Sequence, residues 1–218
     1  MGKRFDLVVF DWDGTLMDST AVIVASLQAA CADVDLPVPS DESSQYIIGL
    51  GLYDAMAHVL PGVSTDIYPR VVERYGHHYR LREPQTPLFA GVESMLEELR
   101  GAGHQLAIAT GKSRRGLDRA LATTGLAAVF DATRCGDESA SKPAPGMLLD
   151  LMKMLGAATD KTVMIGDTTH DLQMAANAGV QSVAVTYGAH PRDQLLALQP
   201  LACINNPEDL RQWLRRNA

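Results

Sequence analysis

The sequence predicts an α/β protein: a parallel sheet covered by helices on both faces, with a helical stretch inserted after the first strand. Three observations carry this. An apolar run at 7–10 stops abruptly at two aspartates and a glycine. Residues from about 20 to 88 look helical and lack a convincing buried strand. From about 105 onward, short β-rich runs alternate with helical patterns, the signature of repeated strand–helix–strand units.

The first strand reads as Leu7-Val8-Val9-Phe10, followed at once by Asp11-Trp12-Asp13-Gly14-Thr15. Alternation points Asp11 and Asp13 to one side and turns Trp12 the other way, to pack beneath them. The carboxyl edge of an open α/β sheet is where ligands sit, so two carboxylates there suggest chemistry rather than core. The insertion has apolar positions such as Ile23, Leu27, Met56, Val59, Leu60 and Val71, and Pro37, Pro39, Pro61, Pro84 and Pro87 punctuate it. This organisation assigns 20–87 to a small helical lobe above the sheet edge, and 1–19 with 88–218 to the sheet domain. Further strands are expected at 105–110, 129–133, 162–167, 182–186 and 202–205, with helices at 115–123, 145–155 and 170–178 between them.

With 218 residues and 46% hydrophobic composition the chain can bury a sizeable core. A net charge of -7 and a pI near 5.3 argue against nucleic acid as the main partner. No apolar run approaches the roughly 20 residues that a membrane helix needs, and no signal-peptide pattern is visible. Cys31, Cys135 and Cys203 are far apart and lack metal spacing, which suits reduced thiols in a cytoplasmic protein.

Four short segments end or follow expected strands: Asp11 with Asp13, Thr110-Gly111-Lys112, Ser141-Lys142-Pro143, and Gly166-Asp167-Thr168-Thr169-His170-Asp171. A parallel sheet places all of them at one edge. So many carboxylates repel one another and need a cation, and an oxygen-only donor set selects a hard one, Mg²⁺ before others. An ion bridging Asp11 and Asp167 would offset the repulsion. Lys142, the Thr110 hydroxyl and backbone N–H groups such as that of Gly111 suit phosphate oxygens. Asp11 is then placed to attack phosphorus, and Asp13 to protonate the leaving oxygen and later deprotonate water.

The set Asp11-Trp12-Asp13-Gly14-Thr15, Thr110, Lys142 and Gly166-Asp167-x-x-x-Asp171 resembles the haloacid dehalogenase superfamily, and within it the phosphoglycolate-phosphatase-like branch. The resemblance covers nearly the whole chain. It implies a Rossmann-like core with a helical cap, Mg²⁺, and an aspartyl-phosphate intermediate on Asp11. It also implies metal ligation by the Asp11 carboxylate, the Asp13 main-chain carbonyl and Asp167, with Asp171 in support. Lys142 and Thr110 match the phosphate-binding positions, and a substrate-facing cap loop falls near Gly49-Leu50-Gly51, where a plain helix-to-helix turn is an equal reading. The expected substrate is a small phosphorylated metabolite, phosphoglycolate-like, met by a monomer or homodimer.

Plainer readings stand beside these. Asp171 suits the first turn of a helix. Thr110 suits an N-cap. Lys112, His77, His78, His170 and His190 read as surface groups, although the His190 loop could border the pocket. A dehalogenase lacks an acid at the position of Asp13, and a Schiff-base phosphonatase needs a cap lysine; none occurs from Asp18 to Leu88. A sugar phosphomutase, a pyrophosphatase and a non-catalytic phospho-ligand-binding module remain as alternatives.

Overall fold

A computed structural model describes residues 3–218; the first two residues of the expected core segment 1–19 lie outside the described residues. Among the described residues, six strands form one parallel sheet: β1 (Leu7–Phe10), β2 (Gln105–Ala109), β3 (Ala132–Arg134), β4 (Thr162–Gly166), β5 (Gln181–Val185) and β6 (Cys203–Ile204). Their order is β3-β2-β1-β4-β5-β6, the doubly wound arrangement in which the chain leaves the central strand in both directions. Phe10 pairs with Ile108 of β2 and with Ile165 of β4, so the strand ends that follow these residues are level.

The helices are α1 (Thr20–Asp33), α2 (Asp41–Tyr46), α3 (Leu52–Val59), α4 (Tyr68–Arg82), α5 (Val92–Gly101), α6 (Arg114–Thr124), α7 (Gly146–Leu155), α8 (Thr169–Asn177), α9 (Arg192–Leu196) and α10 (Pro207–Asn217). Alternation along β1 and β2 divides the apolar side chains between two faces. Val8, Phe10, Leu106 and Ile108 pack with Leu96 of α5, Leu117 of α6 and Leu210 of α10. Leu7, Val9, Ala107 and Ala109 pack instead with Met147 and Leu151 of α7 and Met174 of α8. Both faces of the sheet are therefore covered, and its strands are apolar on both sides. Ser113 caps α6 through the Gly116 N–H, and the helix ends at a left-handed Gly125.

Helices α1 to α4 carry apolar clusters of their own, one built on Leu27, Cys31, Met56, Leu60, Tyr68 and Val71. The two chain segments joining this unit to the sheet run side by side: the Asp18 N–H donates to the Pro87 carbonyl and the Phe89 N–H to that of Leu16, each at 3.0 Å. The expected third strand begins later than its apolar pattern suggests. Val129 and Phe130 pack against the core beneath the sheet, and the ladder is picked up only by the Asp131 N–H on the Leu106 carbonyl. The sixth strand is two residues long, because β6 is an edge with a single neighbour. Cys31, Cys135 and Cys203 are free thiols. Among the described residues no helix is long and apolar enough to cross a membrane.

Phe10 ends the central strand with no exposed surface. Phe10→Ala should lower unfolding free energy by about 3–5 kcal/mol, read by urea titration; a loss under about 1 kcal/mol would show that this side chain does not pack as described.

Candidate active site

Three adjacent strands deliver the central groups. Asp11 follows β1, its N–H bonded to the Ile165 carbonyl at 2.9 Å. Thr110 follows β2 and Asp167 follows β4. All three are fully buried, and so is Lys142, which comes from the loop before α7. One carboxylate oxygen from each of Asp11, Asp167 and Asp171 lies within 4.8 Å of the others.

The supporting contacts explain why these side chains hold still. Asp167 accepts from the Thr15 hydroxyl (2.8 Å) and the Ala189 N–H (2.7 Å). Gly14 and Gly188 crowd its other flanks: a Cβ at either position would stand 2.1 Å from Asp167 Oδ2. Gly14 also has φ +77, which only glycine adopts freely, so the glycine after Asp13 has two independent reasons to be there. Asp171 is both a helix-terminus group and a site group. It forms a reciprocal capping box with Thr168 at the start of α8, and its other oxygen accepts from Lys142 Nζ at 2.6 Å.

Lys142 Nζ also lies 2.9 Å from Asp11 Oδ1. That ion pair is the contact of Oδ1, and among the described residues Asp11 Oδ2 has no hydrogen-bond partner. Burial, against the pull of Lys142 and with the push of Asp171, raises the Asp11 pKa to about 7. Burial and the charge of Asp11 likewise hold Asp167 well above the usual carboxylate range. For Lys142, burial acts to lower the pKa, but Asp11 and Asp171 outweigh it and keep the ammonium protonated. Three carboxylates thus face one buried cation. An all-oxygen cluster with an unpartnered carboxylate oxygen fits a hard divalent cation, which Asp11, Asp167 and Asp171 could hold together.

Asp13 stands apart from that trio. Its Oδ1 accepts from the Ser19 hydroxyl (2.6 Å) and lies 3.0 Å from Lys112 Nζ. Lys112 was expected in solvent; instead its side chain is only 9% exposed and donates to the Tyr79 hydroxyl of α4 at 2.9 Å. Burial would lower the Lys112 pKa, but Asp13 and the tyrosines raise it, so the charge persists. Thr110 does not cap α6, a task that falls to Ser113; its hydroxyl accepts from the Lys112 N–H at 3.2 Å. Gly111 faces the inserted helices, where a Cβ would stand 2.5 Å from the Leu50 carbonyl and 2.6 Å from that of Gly49. The Gly51 N–H donates to the Ser141 hydroxyl at 2.8 Å. The segment Gly49-Leu50-Gly51 therefore touches two of the strand-end segments singled out in the sequence.

Two histidines also depart from expectation. His170 and His190 are buried, at 7% and 3% exposure, because both donate Nε2 to the Tyr46 carbonyl at the end of α2 (2.7 and 3.0 Å). The His190 Nδ1 accepts from the Thr169 N–H, which fixes a neutral tautomer, and burial lowers its pKa to about 4. His77 is exposed; His78 is partly buried beside Asp33. Ser19 and Ala189 have no sequence signal of their own, being a small residue and a backbone amide; Thr15 closes the opening motif, which gives its hydroxyl no partner. Lys112 had one: it lies two residues beyond Thr110, on the same strand-end turn.

A cavity of about 540 Å³ opens on the Asp13 side, between α3, α4 and the start of α6. Asp13, Gly49, Leu50, Gly51, Gly111 and Lys112 line its inner part.

The sequence profile of the haloacid dehalogenase-like hydrolases matches residues 8–185. A protein of Dickeya dadantii named "Probable phosphatase IndB" is 38% identical over 204 residues, which cover 91% of this chain and 89% of that one. A phosphoglycolate phosphatase of Agrobacterium fabrum is 32% identical over 189 residues, covering 84% and 81%. The crystal structure of a hydrolase from Pseudomonas syringae matches the fold with a TM-score of 0.89 at 23% identity, over 98% of both chains. Strand order, family profile and these relatives agree: the chain belongs to the haloacid dehalogenase-like hydrolases, in their phosphoglycolate-phosphatase-like branch, and is a phosphatase.

Proposed function

We propose that the chain hydrolyses a small phosphomonoester in a Mg²⁺-dependent reaction that passes through an aspartyl-phosphate on Asp11. One observation carries the reading: Asp11 is a fully buried carboxylate at the end of the central strand, and the polar contact of its side chain among the described residues is the Lys142 ammonium, 2.9 Å from Oδ1. A buried carboxylate with one oxygen left unpartnered is costly, and a nucleophile is a reason to keep one. Mg²⁺, held by Asp11, Asp167, the Asp13 main-chain carbonyl and Asp171 in support, would neutralise phosphoryl oxygens and offset the repulsion among the carboxylates.

The chain's own groups then divide the work. Lys142 and Thr110, with the Gly111 backbone, hold phosphoryl oxygens. An Asp11 oxygen attacks phosphorus, the ester P–O bond breaks, and the proton of Asp13 goes to the departing alcohol oxygen. Asp13 next takes a proton from water, whose oxygen attacks phosphorus; inorganic phosphate leaves and the Asp11 carboxylate is restored. Ser19 and Lys112 orient the Asp13 carboxylate throughout. Residues 20–87 act as a cap, with 1–19 and 88–218 as the core, and exclude bulk water while the phospho-aspartate forms.

Asp11→Asn should release no phosphate from a panel of phosphomonoesters while keeping the native circular-dichroism spectrum, whereas the wild type quenched in mild acid should carry hydroxylamine-labile phosphate on Asp11. Turnover by the Asn variant would sink the assignment. Because Asp11 is a buried carboxylate raised to about 7, the same variant should also be more stable in chelator at pH 8. The gain should be roughly 1–3 kcal/mol, read as a Tm higher by several degrees; a lower Tm would mean that the charge is compensated in the metal-free protein.

Millimolar Mg²⁺ should raise the Tm of the wild type by mass action and leave that of Asp167→Asn nearly unmoved. Equal shifts in the two proteins would remove Asp167 from the metal site.

A further inference from the structure

The cavity beside the site bears on what the phosphate is attached to, and this argument rests on the phosphatase reading above. Asp13, placed to hand a proton to the leaving oxygen, is in the cavity lining, whereas Asp11, Asp167 and Lys142 are not. The space therefore lies where the alcohol half of the ester departs. Its walls on the side of the inserted helices are mostly apolar, with Ile23, Leu27, Ile48, Met56, Val72 and the ring of Tyr75; the charged Asp54 and Arg80 stand at exposed positions of the same wall.

Size and charge both bear on the occupant. A volume of about 540 Å³ is that of a pocket for a drug-sized ligand, and a two-carbon acid such as glycolate would leave most of it empty. The cation at the inner end, Lys112, is already matched by Asp13 and held by Tyr79. Arg119, further out, pairs with the buried Glu83. Arg80 and Arg115 also line the cavity, but at exposed positions where solvent weakens their hold on an anion. A carboxylate on the organic half of the substrate would thus meet mostly apolar walls, an inner cation already paired and two solvent-screened arginines, a weak return for its desolvation.

We infer that the organic half of the substrate is a bulky, largely apolar and uncharged group, seated between α3, α4 and the turn at Gly111-Lys112, and that phosphoglycolate is a poor substrate of this chain. The apolar walls then contribute selectivity through burial of the leaving group, and Asp13 at their inner end gives the departing oxygen its proton.

The test uses the full chain with Mg²⁺ and the primary-alkyl series ethyl, butyl and hexyl phosphate with benzyl phosphate and phosphoglycolate. The simple alkyl esters differ in apolar bulk while keeping similar leaving-group chemistry. From ethyl to hexyl, kcat/KM should rise by at least ~tenfold, since each fully buried methylene is worth roughly fourfold. Phosphoglycolate should fall below butyl phosphate. Leu52→Trp, which narrows the cavity, should bring the hexyl-to-ethyl ratio back toward one.

In parallel, calorimetry with ethyl- and hexylphosphonate measures affinity without turnover, and hexylphosphonate should bind at least ~tenfold more tightly. A flat series, or phosphoglycolate as the best substrate, overturns the inference and leaves the phosphatase reading intact. No phosphate release from any ester overturns that reading, and the phosphonate affinities then decide the pocket on their own.

Discussion

One buried ammonium for three buried carboxylates is the constraint on which the rest of the site depends. Lys142 touches Asp11 and Asp171, while Asp167 is held by a hydroxyl, a backbone N–H and two glycines. The surrounding structure therefore fixes the positions of these charges without cancelling them. A protein interior tolerates such an imbalance only if the groups are neutralised by protons, as the raised pKa of Asp11 indicates for the metal-free state, or by a ligand. Rigidity and unsatisfied charge together describe a site built to be completed by something it binds.

The helical insertion meets this site through backbone and buried polar atoms more than through side-chain bulk. The Tyr46 carbonyl takes two imidazole donors, the Gly51 N–H reaches Ser141, and the carbonyls of Gly49 and Leu50 approach Gly111. Lys112 adds a polar link by touching Asp13 on one side and Tyr79 of α4 on the other. Glu83 and Arg119 form a further ion pair, where α4 hands over to the return connection. Such contacts are directional and short-ranged, so they specify one docked arrangement of the insertion more sharply than apolar packing would.

The sheet and the strand-end groups were legible in the sequence because they follow local rules. An apolar run ending in Asp11 and Asp13, and alternation after residue 105, need no knowledge of the rest of the chain. Asp171 suited either a helix terminus or the site, and in the fold it serves both, since a carboxylate has two oxygens to share. The surface assignments of Lys112, His170 and His190 failed for a common reason. Each is buried by a partner remote in sequence (Tyr79 for the lysine, the Tyr46 carbonyl for the histidines), and periodicity carries no trace of such pairs. The third strand was placed too early because Val129 and Phe130 are apolar for packing rather than for pairing.

The central place of β1 has a consequence for how the protein comes to work at all. Asp11 is positioned only when β1 is flanked by both β2, which brings Thr110, and β4, which brings Asp167. Those two neighbours are separated in the chain by β3 and two helices, so the catalytic edge is assembled from long-range pairings completed late in chain order. A chain that has not yet docked β4 consequently lacks Asp167 and Asp171 beside Asp11. The acidic cluster exists only once the strand that leads into two of its three carboxylates lies beside the middle of the sheet.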